Sequence, residues 1–566
     1  MNFLNKYLPR VDFKSYEDFK ANYRINLPDN FNFGYDIIDE YARLEPSKPA
    51  LIWLNDAGDE KHFTFGDVKE QSDRIANVLR SLGIHKGDRV LLILKQRPEV
   101  WFTLVALCKL GATAIPASFQ LTEKDIIYRC DAAEVKMIIA AEDDNIIGHI
   151  KNSRDKCKTL KYVGLVGDDI SERFDESMLD MRKLTREASP DFVRPTGDEA
   201  TTNFDIMLMY FSSGTTGMPK MITHNYLYPL GHITTAHYWQ KVEDGGRHLT
   251  VSDSGWAKFA WGKIYGQWIC GAVNVAYDTD KFVPSHLLAA IDHLKLTTFC
   301  APPTIYRFLI KEDMSSCDFS TIHHCGTAGE PLNPEVVKRF KEATGLTIYE
   351  GFGQSESTVL LANFGWDEIK VGSTGKPSPI YDIDIVDANG KPCEDGIVGS
   401  IVVKNAGSHP CGLFMEYLND PEANAKSWHN GVYNTGDMAW RDSDGYYWFE
   451  GRGDDVIKCS GYRIGPFEVE SALLTHPSVL ECAVTAVPDP IRGQVVKATI
   501  VLAKGWKDKA GDELKKELQN HVKVTTAPYK YPRVVEFVDE LPKTSSGKIR
   551  RVEIRKADEA KAKDQG

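Results

Sequence analysis

The clearest signal in this chain is a loop rich in glycine and hydroxyl side chains, which reads Tyr210-Phe211-Ser212-Ser213-Gly214-Thr215-Thr216-Gly217-Met218-Pro219-Lys220. An apolar run at residues 206–211 leads into it and predicts a buried strand. Glycines let the backbone approach a ligand closely, while hydroxyls, N–H groups and the Lys220 ammonium can bind phosphate oxygens. The spacing is not that of a Walker A motif. The segment predicts a strand followed by an anion-binding loop, although a loop of this composition can equally bind nothing.

Strands and helices alternate on both sides of this loop. Apolar residues repeat with helical spacing over 68–82, and Gly83 follows as a helix end. A polar turn then leads into the apolar run 90–94, which predicts a buried strand, and a second apolar helix follows over about 98–110. Further strand candidates lie at 136–141, 249–252 and 298–302. Because buried strands alternate with helices in parallel sheets, we predict an α/β fold whose large body contains mostly parallel sheets.

The character of the sequence changes after about residue 450. Gly451-Arg452-Gly453-Asp454-Asp455 predicts an exposed, flexible junction. Beyond it, strand candidates at 480–487, 497–502 and 534–538 surround an amphipathic helix with Leu514, Leu518 and Val522 on one face. We therefore predict two domains, residues 1–453 and residues 454–566, of which the second is a small, mobile α+β domain.

The composition argues against several classes of protein. The 566 residues include 68 Lys and Arg against 80 Asp and Glu, and a net charge of −12 disfavours a general nucleic-acid binder. The apolar stretches are far shorter than the ~20 residues of a membrane helix, and the N-terminus lacks a signal-peptide pattern. The 11 cysteines form no CxxC pair, which indicates reduced thiols and argues against a zinc site. We expect a cytoplasmic protein without nucleic acid or a membrane anchor.

Four further segments carry side chains suited to chemistry. Residues 349–356, Tyr-Glu-Gly-Phe-Gly-Gln-Ser-Glu, combine an aromatic face, a hydroxyl and a carboxylate that could hold Mg²⁺. Residues 433–437 end in Asp437, which could bind a ribose diol. The junction region 451–470 and a basic loop at 542–549, which contains Lys548, complete the set. Each segment by itself is explained at least as well as an ordinary turn, linker or surface lysine.

The combination is more specific than its parts. In this order and at these separations, the five segments resemble the adenylate-forming superfamily of acyl-CoA synthetases, adenylation domains and luciferases, from about Phe63 to Arg551. The chain is most similar to the medium-chain acyl-CoA synthetases, through residues 252–256, 328–332 and 527–533. The resemblance implies an ATP-dependent, AMP-forming acyl-CoA ligase. Such an enzyme converts a carboxylic acid and ATP to acyl-AMP and pyrophosphate, and then forms a thioester with CoA.

The resemblance implies roles for individual residues in the first step. Lys548 would be the catalytic lysine that bridges the acid and the α-phosphate, and Ser355 and Glu356 would be the other catalytic residues. Glu356 would hold Mg²⁺, Phe352 would lie against adenine, and Asp437 would bind the ribose. The implied contacts with ATP or AMP are Ser212, Ser213, Gly214, Thr215, Thr216, Gly217, Lys220, Gly329, Glu330, Glu350, Gly351, Phe352, Gly353, Gln354, Asp437 and Arg452.

The resemblance also implies a second step in which the small domain rotates about Asp454. Rotation would withdraw Lys548 and bring the loop at 460–463 to the active site, where Gly461 would let the pantetheine arm pass. Arg and Lys side chains suit the phosphates of CoA. The implied CoA contacts are Ser460, Gly461, Tyr462, Arg463, Arg492, Lys523, Tyr531 and Arg533.

The identity of the acid depends on fewer residues. In acetate-specific relatives a Trp at the position of Gly353 closes the acyl pocket, so Gly353 implies space for a larger acid, medium-chain or short and branched. Trp256 and Trp261 would form other walls, although both are explained equally well as core aromatics. Lys258 must extend to solvent or find a partner, because an apolar pocket disfavours an unpaired ammonium.

Three alternative functions remain open at the level of sequence. An aryl-CoA ligase for benzoate-like acids would differ only in the shape of its pocket. A free-standing adenylation enzyme would load a carrier protein instead of CoA, which the implied CoA contacts Arg492 and Arg533 argue against. A non-catalytic nucleotide-binding protein would lack catalytic residues, yet Glu356, Asp437 and Lys548 are all present.

Overall fold

The computed structural model describes residues 3–168, 178–212, 218–330, 332–459, 462–489, 492–543 and 549–564. Its helices are α1 (Leu4–Tyr7), α2 (Tyr16–Asn22), α3 (Glu40–Leu44), α4 (Phe65–Ser81), α5 (Glu99–Leu110), α6 (Glu123–Ala132), α7 (Asp144–Arg154), α8 (Met181–Glu187), α9 (Tyr228–Ile233), α10 (Ala257–Gly262), α11 (Tyr265–Ile269), α12 (Pro284–Leu294), α13 (Pro303–Leu309), α14 (Pro334–Thr344), α15 (Pro421–Ser427), α16 (Pro466–Leu474), α17 (Asp512–Thr525) and α18 (Arg551–Asp564). Two segments are π-helical, Gly34–Asp39 and Thr234–Trp239.

The strands of the large body are β1 (Pro49–Asn55), β2 (Glu60–Thr64), β3 (Arg89–Ile93), β4 (Thr113–Pro116), β5 (Val135–Ala141), β6 (Tyr162–Val166), β7 (Met178–Asp180), β8 (Ile206–Ser212), β9 (Lys220–Asn225), β10 (Arg247–Thr250), β11 (Val273–Asp278), β12 (Thr298–Cys300), β13 (His324–Thr327), β14 (Ile348–Phe352), β15 (Leu361–Ala362), β16 (Lys376–Pro377), β17 (Ile383–Val386), β18 (Gly399–Val403), β19 (Trp428–His429), β20 (Val432–Arg441) and β21 (Tyr447–Arg452). The remaining strands are β22 (Ile457–Cys459), β23 (Tyr462–Ile464), β24 (Val479–Asp489), β25 (Gly493–Leu502) and β26 (Val534–Val538).

Two sheets dominate the body. Within the described residues, nine strands follow the order β16-β15-β14-β13-β12-β10-β11-β1-β2, and seven follow the order β7-β6-β5-β3-β4-β8-β9. The inner pairs are parallel, whereas β2, β15, β16 and β9 join antiparallel at the edges. One core contains residues of both sheets, including Trp53 of β1 and Leu92 of β3. The predicted α/β fold with mostly parallel sheets is confirmed.

Local sequence signals explain the elements that were predicted in this body. Thr64 and Asp67 form a capping box at the start of α4, whose apolar stripe is buried. Helix α5 begins after Pro98 and ends at Gly111, which has a φ of 89° that glycine adopts without strain. Among the described residues, no helix is long and apolar enough to cross a membrane.

Two smaller sheets follow. Strands β17, β18, β20, β19 and β21 form an antiparallel sheet at the end of the body. Strands β22 to β26 form the sheet of the small C-terminal part, in which β26 lies parallel to β25. This part has its own core, to which Ile457, Leu473, Val484, Ile500 and Leu518 contribute. The predicted small α+β domain is therefore present.

The junction between the two parts is shorter than predicted. Gly451 and Arg452 belong to β21, where they pair with Met438 and Asp437, and Gly451 is buried. Because this pairing fixes their backbone, the exposed connection begins only at Gly453 and ends where β22 begins. The domain boundary after Gly453 falls in this connection and stays a prediction.

Sheet topology brings distant loops together. Because β13 and β14 are parallel neighbours, the residues that follow them, 328–330 and 353–356, lie at one edge of the nine-stranded sheet. Asp437 and Arg452 meet as partners across β20 and β21. Clefts at the carboxyl ends of parallel strands are where α/β proteins bind ligands.

Candidate active site

The glycine-rich loop closes a hairpin. Strands β8 and β9 are antiparallel, with Ser212 opposite Lys220 at the end next to the loop. Ser213, Gly214, Thr215, Thr216 and Gly217 lie outside the described residues. The Nζ atom of Lys220 lies 4.6 Å from the ring centroid of Tyr417. The loop therefore begins and ends at fixed strand positions, with a cation at its base.

The loop after β14 carries the carboxylate. Glu356 Oε1 accepts a hydrogen bond of 2.9 Å from the hydroxyl of Tyr417, and its carbonyl oxygen accepts one of 2.7 Å from the N–H of Phe414. His224 Nε2 lies 2.7 Å from the carbonyl oxygen of Ser355. Burial lowers the pKa of His224 to about 4, so the imidazole is neutral and Nε2–H donates. These contacts fix both Ser355 and Glu356.

A second set of polar groups surrounds Asp437. Gln354 Nε2 donates to Asp437 Oδ2 at 2.5 Å and to Thr435 O at 2.8 Å, while Tyr433 donates to Gln354 Oε1 at 2.7 Å. The guanidinium of Arg452 lies 3.6 Å from Asp437 Oδ1. Gln354 therefore links the loop after β14 to the acid predicted to bind ribose.

The space predicted for adenine has an aromatic face and an open side. Phe352 is half-buried, and its ring lies 5.7 Å from that of Phe449. Gly329 has a φ of 102°, and a Cβ placed on it would meet no atom of the described residues within 4 Å. Glu330 Oε2 accepts a hydrogen bond of 2.8 Å from Thr304. The geometry leaves room for a planar ligand beside Gly329.

Two of the residues predicted to contact the nucleotide, Glu350 and Gly351, are buried near the end of β14. The side chain of Glu350 is buried, and burial raises the pKa of its carboxyl to about 8, although the N–H of Leu332 opposes this. A Cβ on Gly351 would lie 2.5 Å from the indole of Trp239. The close approach of Trp239 requires glycine at this position.

The structure corrects the expectation that Gly353 leaves open space. A Cβ on Gly353 would lie 2.3 Å from Cη2 of Trp261, so the indole already occupies the place of the missing side chain. Trp261 is 5% exposed, donates to Ser357 O at 3.2 Å and stands perpendicular to Trp239 at 6.1 Å. The side chain that occupies the space beside Gly353 is therefore Trp261.

The other residues predicted for the acyl pocket differ in their contacts. Trp256 is half-buried before α10, and its Nε1 has no hydrogen-bond partner among the described residues. Lys258 donates to Ala328 O at 2.9 Å, so its ammonium finds a partner in the body rather than extending to solvent alone. The pairing places a cation beside Gly329.

The residues predicted to bind CoA fall into two groups. Tyr531 is the centre of the first, because Lys523 Nζ lies 4.1 Å from its ring centroid and Arg533 donates to its hydroxyl at 2.6 Å. Arg492 belongs to the second, next to Gly493, which pairs with Cys459 just before the predicted CoA loop. Outside the description lie Ser460, Gly461, Lys548 and the side chains of Tyr462 and Arg463.

The predicted hinge is an exposed turn. The carboxylate of Asp454 is 42% exposed and lies 3.9 Å from Arg452 Nε. The N–H groups of Asp455 and Val456 donate to Arg452 O at 2.9 and 3.1 Å. Asp455 also pairs with Arg555 of α18. The turn is thus held by local contacts on both sides of Asp454.

Sequence reasoning missed three side chains that the structure places in the site. Tyr417, Trp239 and His224 each contact one of the predicted segments from a distant part of the chain. Tyr417 is 61 residues from Glu356, and a single sequence contains no spacing signal over such a distance.

Comparison with known families and curated proteins gives a consistent result. Residues 38–418 match the family model described as AMP-binding enzyme, and residues 468–548 match AMP-binding enzyme C-terminal domain. The mitochondrial acyl-coenzyme A synthetase ACSM3 of Mus musculus is 41% identical, over 96% of this chain and 93% of its own length. The mitochondrial acyl-coenzyme A synthetase ACSM4 of Homo sapiens is 42% identical, over 95% and 93%.

Solved structures agree with this result. The anthranilate CoA ligase AuaEII, crystallised with anthranoyl-AMP, superposes with a TM-score of 0.85 at 28% identity, covering 95% of this chain and 99% of its own. The acyl-CoA synthetase of Brucella canis superposes with a TM-score of 0.72 at 29% identity, covering 97% and 100%.

Proposed function

The chain belongs to the AMP-binding enzyme family, and on that premise we propose that it is an AMP-forming acyl-CoA synthetase. It activates a carboxylic acid with ATP and then transfers the acyl group to CoA. One observation carries the proposal: the loop cation Lys220, the carboxylate Glu356 and the acid Asp437 come from three separate segments and are linked through Tyr417 and Gln354.

The first step explains why this site needs cations. A carboxylate oxygen attacks the α-phosphorus of ATP, the bond to the β-phosphate breaks, and pyrophosphate leaves. Both reactants are anionic, so positive groups and N–H donors must stand where charge accumulates. Lys220, Arg452 and Lys258 supply such charge in the described part of the site. Lys548, which lies outside the described residues, is predicted to supply a fourth cation.

Mg²⁺ fits the residues that are present. Among the described residues, no group of three or more His, Cys, Asp and Glu side chains could hold a metal by itself. Mg²⁺ commonly uses one or two carboxylates together with substrate phosphates and water. Glu356 suits this arrangement, because Tyr417 occupies Oε1 and fixes the orientation of the carboxylate. A bound Mg²⁺ would neutralise charge on the leaving pyrophosphate.

In the second step the thiol of CoA attacks the acyl carbonyl and AMP leaves. Lys523, Tyr531 and Arg533 offer two cations and an aromatic face on the small domain, which suits a phosphorylated nucleotide. Rotation about Asp454 would alternate this domain between the two steps. That these residues bind CoA stays a prediction. The cytoplasmic location expected from the sequence also stays a prediction.

We propose an acid larger than acetate. The indoles of Trp239 and Trp261 pack beside Gly351 and Gly353 and make this end of the site apolar, which suits a short branched or medium-length aliphatic chain. A benzoate-like acid is the alternative, since the structural neighbour AuaEII is an anthranilate CoA ligase.

The test is pyrophosphate release with Mg-ATP across acetate, butyrate, 2-methylbutyrate, octanoate and benzoate, each with and without CoA. We expect CoA-stimulated turnover on one of the aliphatic acids larger than acetate. Turnover on benzoate alone would support the aryl alternative, and turnover on acetate alone would contradict the proposed pocket. Release that CoA never accelerates would indicate a carrier-protein acceptor, and no release with any acid would contradict the proposed activity.

A further inference from the structure

Tyr417 lies between the glycine-rich hairpin and the loop of Glu356. The N–H of Leu418 donates to Met221 O of β9 at 2.9 Å, so this segment runs along the hairpin. Asn424 binds both backbone groups of Tyr417: its Oδ1 accepts from the N–H at 2.8 Å, and its Nδ2 donates to the carbonyl oxygen at 2.8 Å. The backbone position of Tyr417 is therefore set independently of its side chain.

The side chain of Tyr417 contacts an anion and a cation at different places. The ring is 4% exposed, its hydroxyl donates to Glu356 Oε1 at 2.9 Å, and Lys220 Nζ lies 4.6 Å from its centroid. A phenol offers a hydrogen-bond donor at its tip and a negative ring face. One rigid side chain can thus hold both charged groups.

We propose that Tyr417 is a positioning residue that sets the separation and orientation of Lys220 and Glu356 around the triphosphate of ATP. The inference rests on the proposed function. If Lys220 and Glu356 formed a direct ion pair, each would bind a phosphate or a metal ion less strongly. With Glu356 held at the tip of the ring and Lys220 near its face, Glu356 Oε2 is available to a metal ion and the ammonium to phosphate.

The proposal separates two contributions of one residue. Tyr417→Phe removes the hydroxyl and keeps the ring for Lys220, whereas Tyr417→Leu removes both. In Tyr417→Phe, we expect the Mg²⁺ concentration that half-saturates ATP binding to rise about tenfold, as for the loss of a hydrogen bond to a charged group. Binding of ATP without metal should stay within about twofold of wild type, and should weaken in Tyr417→Leu. Titration calorimetry at several Mg²⁺ concentrations measures these effects without turnover.

A matched control and a double-mutant cycle exclude a merely structural role. Tyr381 is also a buried phenol, 4% exposed, and its hydroxyl lies 2.8 Å from Thr358 Oγ1 instead of a carboxylate. Tyr381→Phe should leave the Mg²⁺ dependence of ATP binding unchanged. In a Glu356→Gln background, Tyr417→Phe should add no further shift, because the group that it orients is already neutral.

Three outcomes would overturn the inference: an unchanged Mg²⁺ dependence in Tyr417→Phe, an equal shift in Tyr381→Phe, or a full additional shift in the Glu356→Gln background. If Tyr417→Phe does not fold, 4-fluorophenylalanine at position 417 fills the space of the hydroxyl but has no hydrogen to donate, and the same tenfold shift is expected. These failures differ from failure of the proposed function, in which wild-type protein releases no pyrophosphate with any acid.

Discussion

At the scale of single residues, glycines in this site are explained by what fills the space beside them. Gly351 and Gly353 alternate along the end of β14 and its loop, and each faces an indole, Trp239 or Trp261, closer than a Cβ would permit. A glycine in a binding loop is usually taken as space for the ligand. Here the space beside both glycines is filled by tryptophan side chains, and both tryptophans are buried.

Trp261 should therefore set the length of the acid. In Trp261→Ala, the indole no longer fills the space beside Gly353, so kcat/KM for octanoate relative to butyrate should rise at least about tenfold. The ratio is measured on the same protein sample for both acids, which cancels any loss of folded enzyme. An unchanged ratio would place Trp261 in the core and not in the acyl pocket.

Glu350 should make the stability of the ligand-free protein depend on pH. Burial raises the pKa of its carboxyl from 4.5 to about 8, so between these values the folded chain keeps a proton that the unfolded chain releases. The stability contributed by the neutral carboxyl therefore declines as pH rises through this window. The amide in Glu350→Gln does not titrate in this range. The Tm of this variant minus the Tm of wild type should therefore increase by several degrees between pH 5 and pH 8.5. Parallel Tm curves for the two proteins would contradict the buried, protonated carboxyl.

At the scale of secondary structure elements, α18 is bound to the small domain by ion pairs and by the buried side chain of Ile554. Arg551 binds Glu470 of α16 through both carboxylate oxygens at 2.6 and 2.7 Å. Arg555 pairs with Asp455, and Asp558 pairs with Lys497 of β25. Helix α18 begins three residues after Lys548, so these pairs hold the chain that follows the predicted catalytic lysine.

Arg551→Ala should destabilise the small domain. Glu470 is 9% exposed in its side chain, and removing Arg551 leaves a buried carboxylate without its partner, which costs about 3 kcal/mol. Arg550→Ala is the matched control, because Arg550 pairs with Glu553 at the surface and its loss should cost less than about 0.5 kcal/mol. The free energy of unfolding of each variant is measured by denaturant titration. Amide hydrogen exchange in β24 and β25 reports the unfolding of the small domain. Equal effects of the two substitutions would contradict the importance of the buried pair.

At the scale of the whole molecule, the connection between the two parts is a single exposed turn after β21. Each part has its own sheet and its own core, so rotation about this turn need not disrupt either core. This architecture suits an enzyme whose two reactions need different groups in one place.

Lys548→Ala tests the alternation of the small domain. Acyl-AMP formation should fall by at least about 100-fold, because the predicted cation between the acid and the α-phosphate is lost. Thioester formation from supplied acyl-AMP and CoA should stay within about twofold of wild type. Separate assays of pyrophosphate release and of CoA consumption measure the two steps. Equal loss in both would contradict a role of Lys548 in the first step alone.

The fold could be predicted from the sequence to a large extent. Continuous apolar runs such as 90–94, followed by a helix between Pro98 and Gly111, specify buried strands and crossover helices through local preferences alone. The glycine-rich loop, Glu356 and Asp437 could likewise be identified as candidates, since each lies in a short segment whose composition suits phosphate, metal or ribose.

Only the tertiary structure decided how these candidates are connected. Tyr417 binds Glu356 across 61 residues, and Trp261 fills the space of Gly353 from helix α10. These long-range contacts depend on which strands become neighbours in a sheet. They also depend on how bulky side chains pack between the helices and strands. Helical and strand periodicities report the environment of a residue along its own element, but they carry no information about which distant side chain will occupy the space beside it.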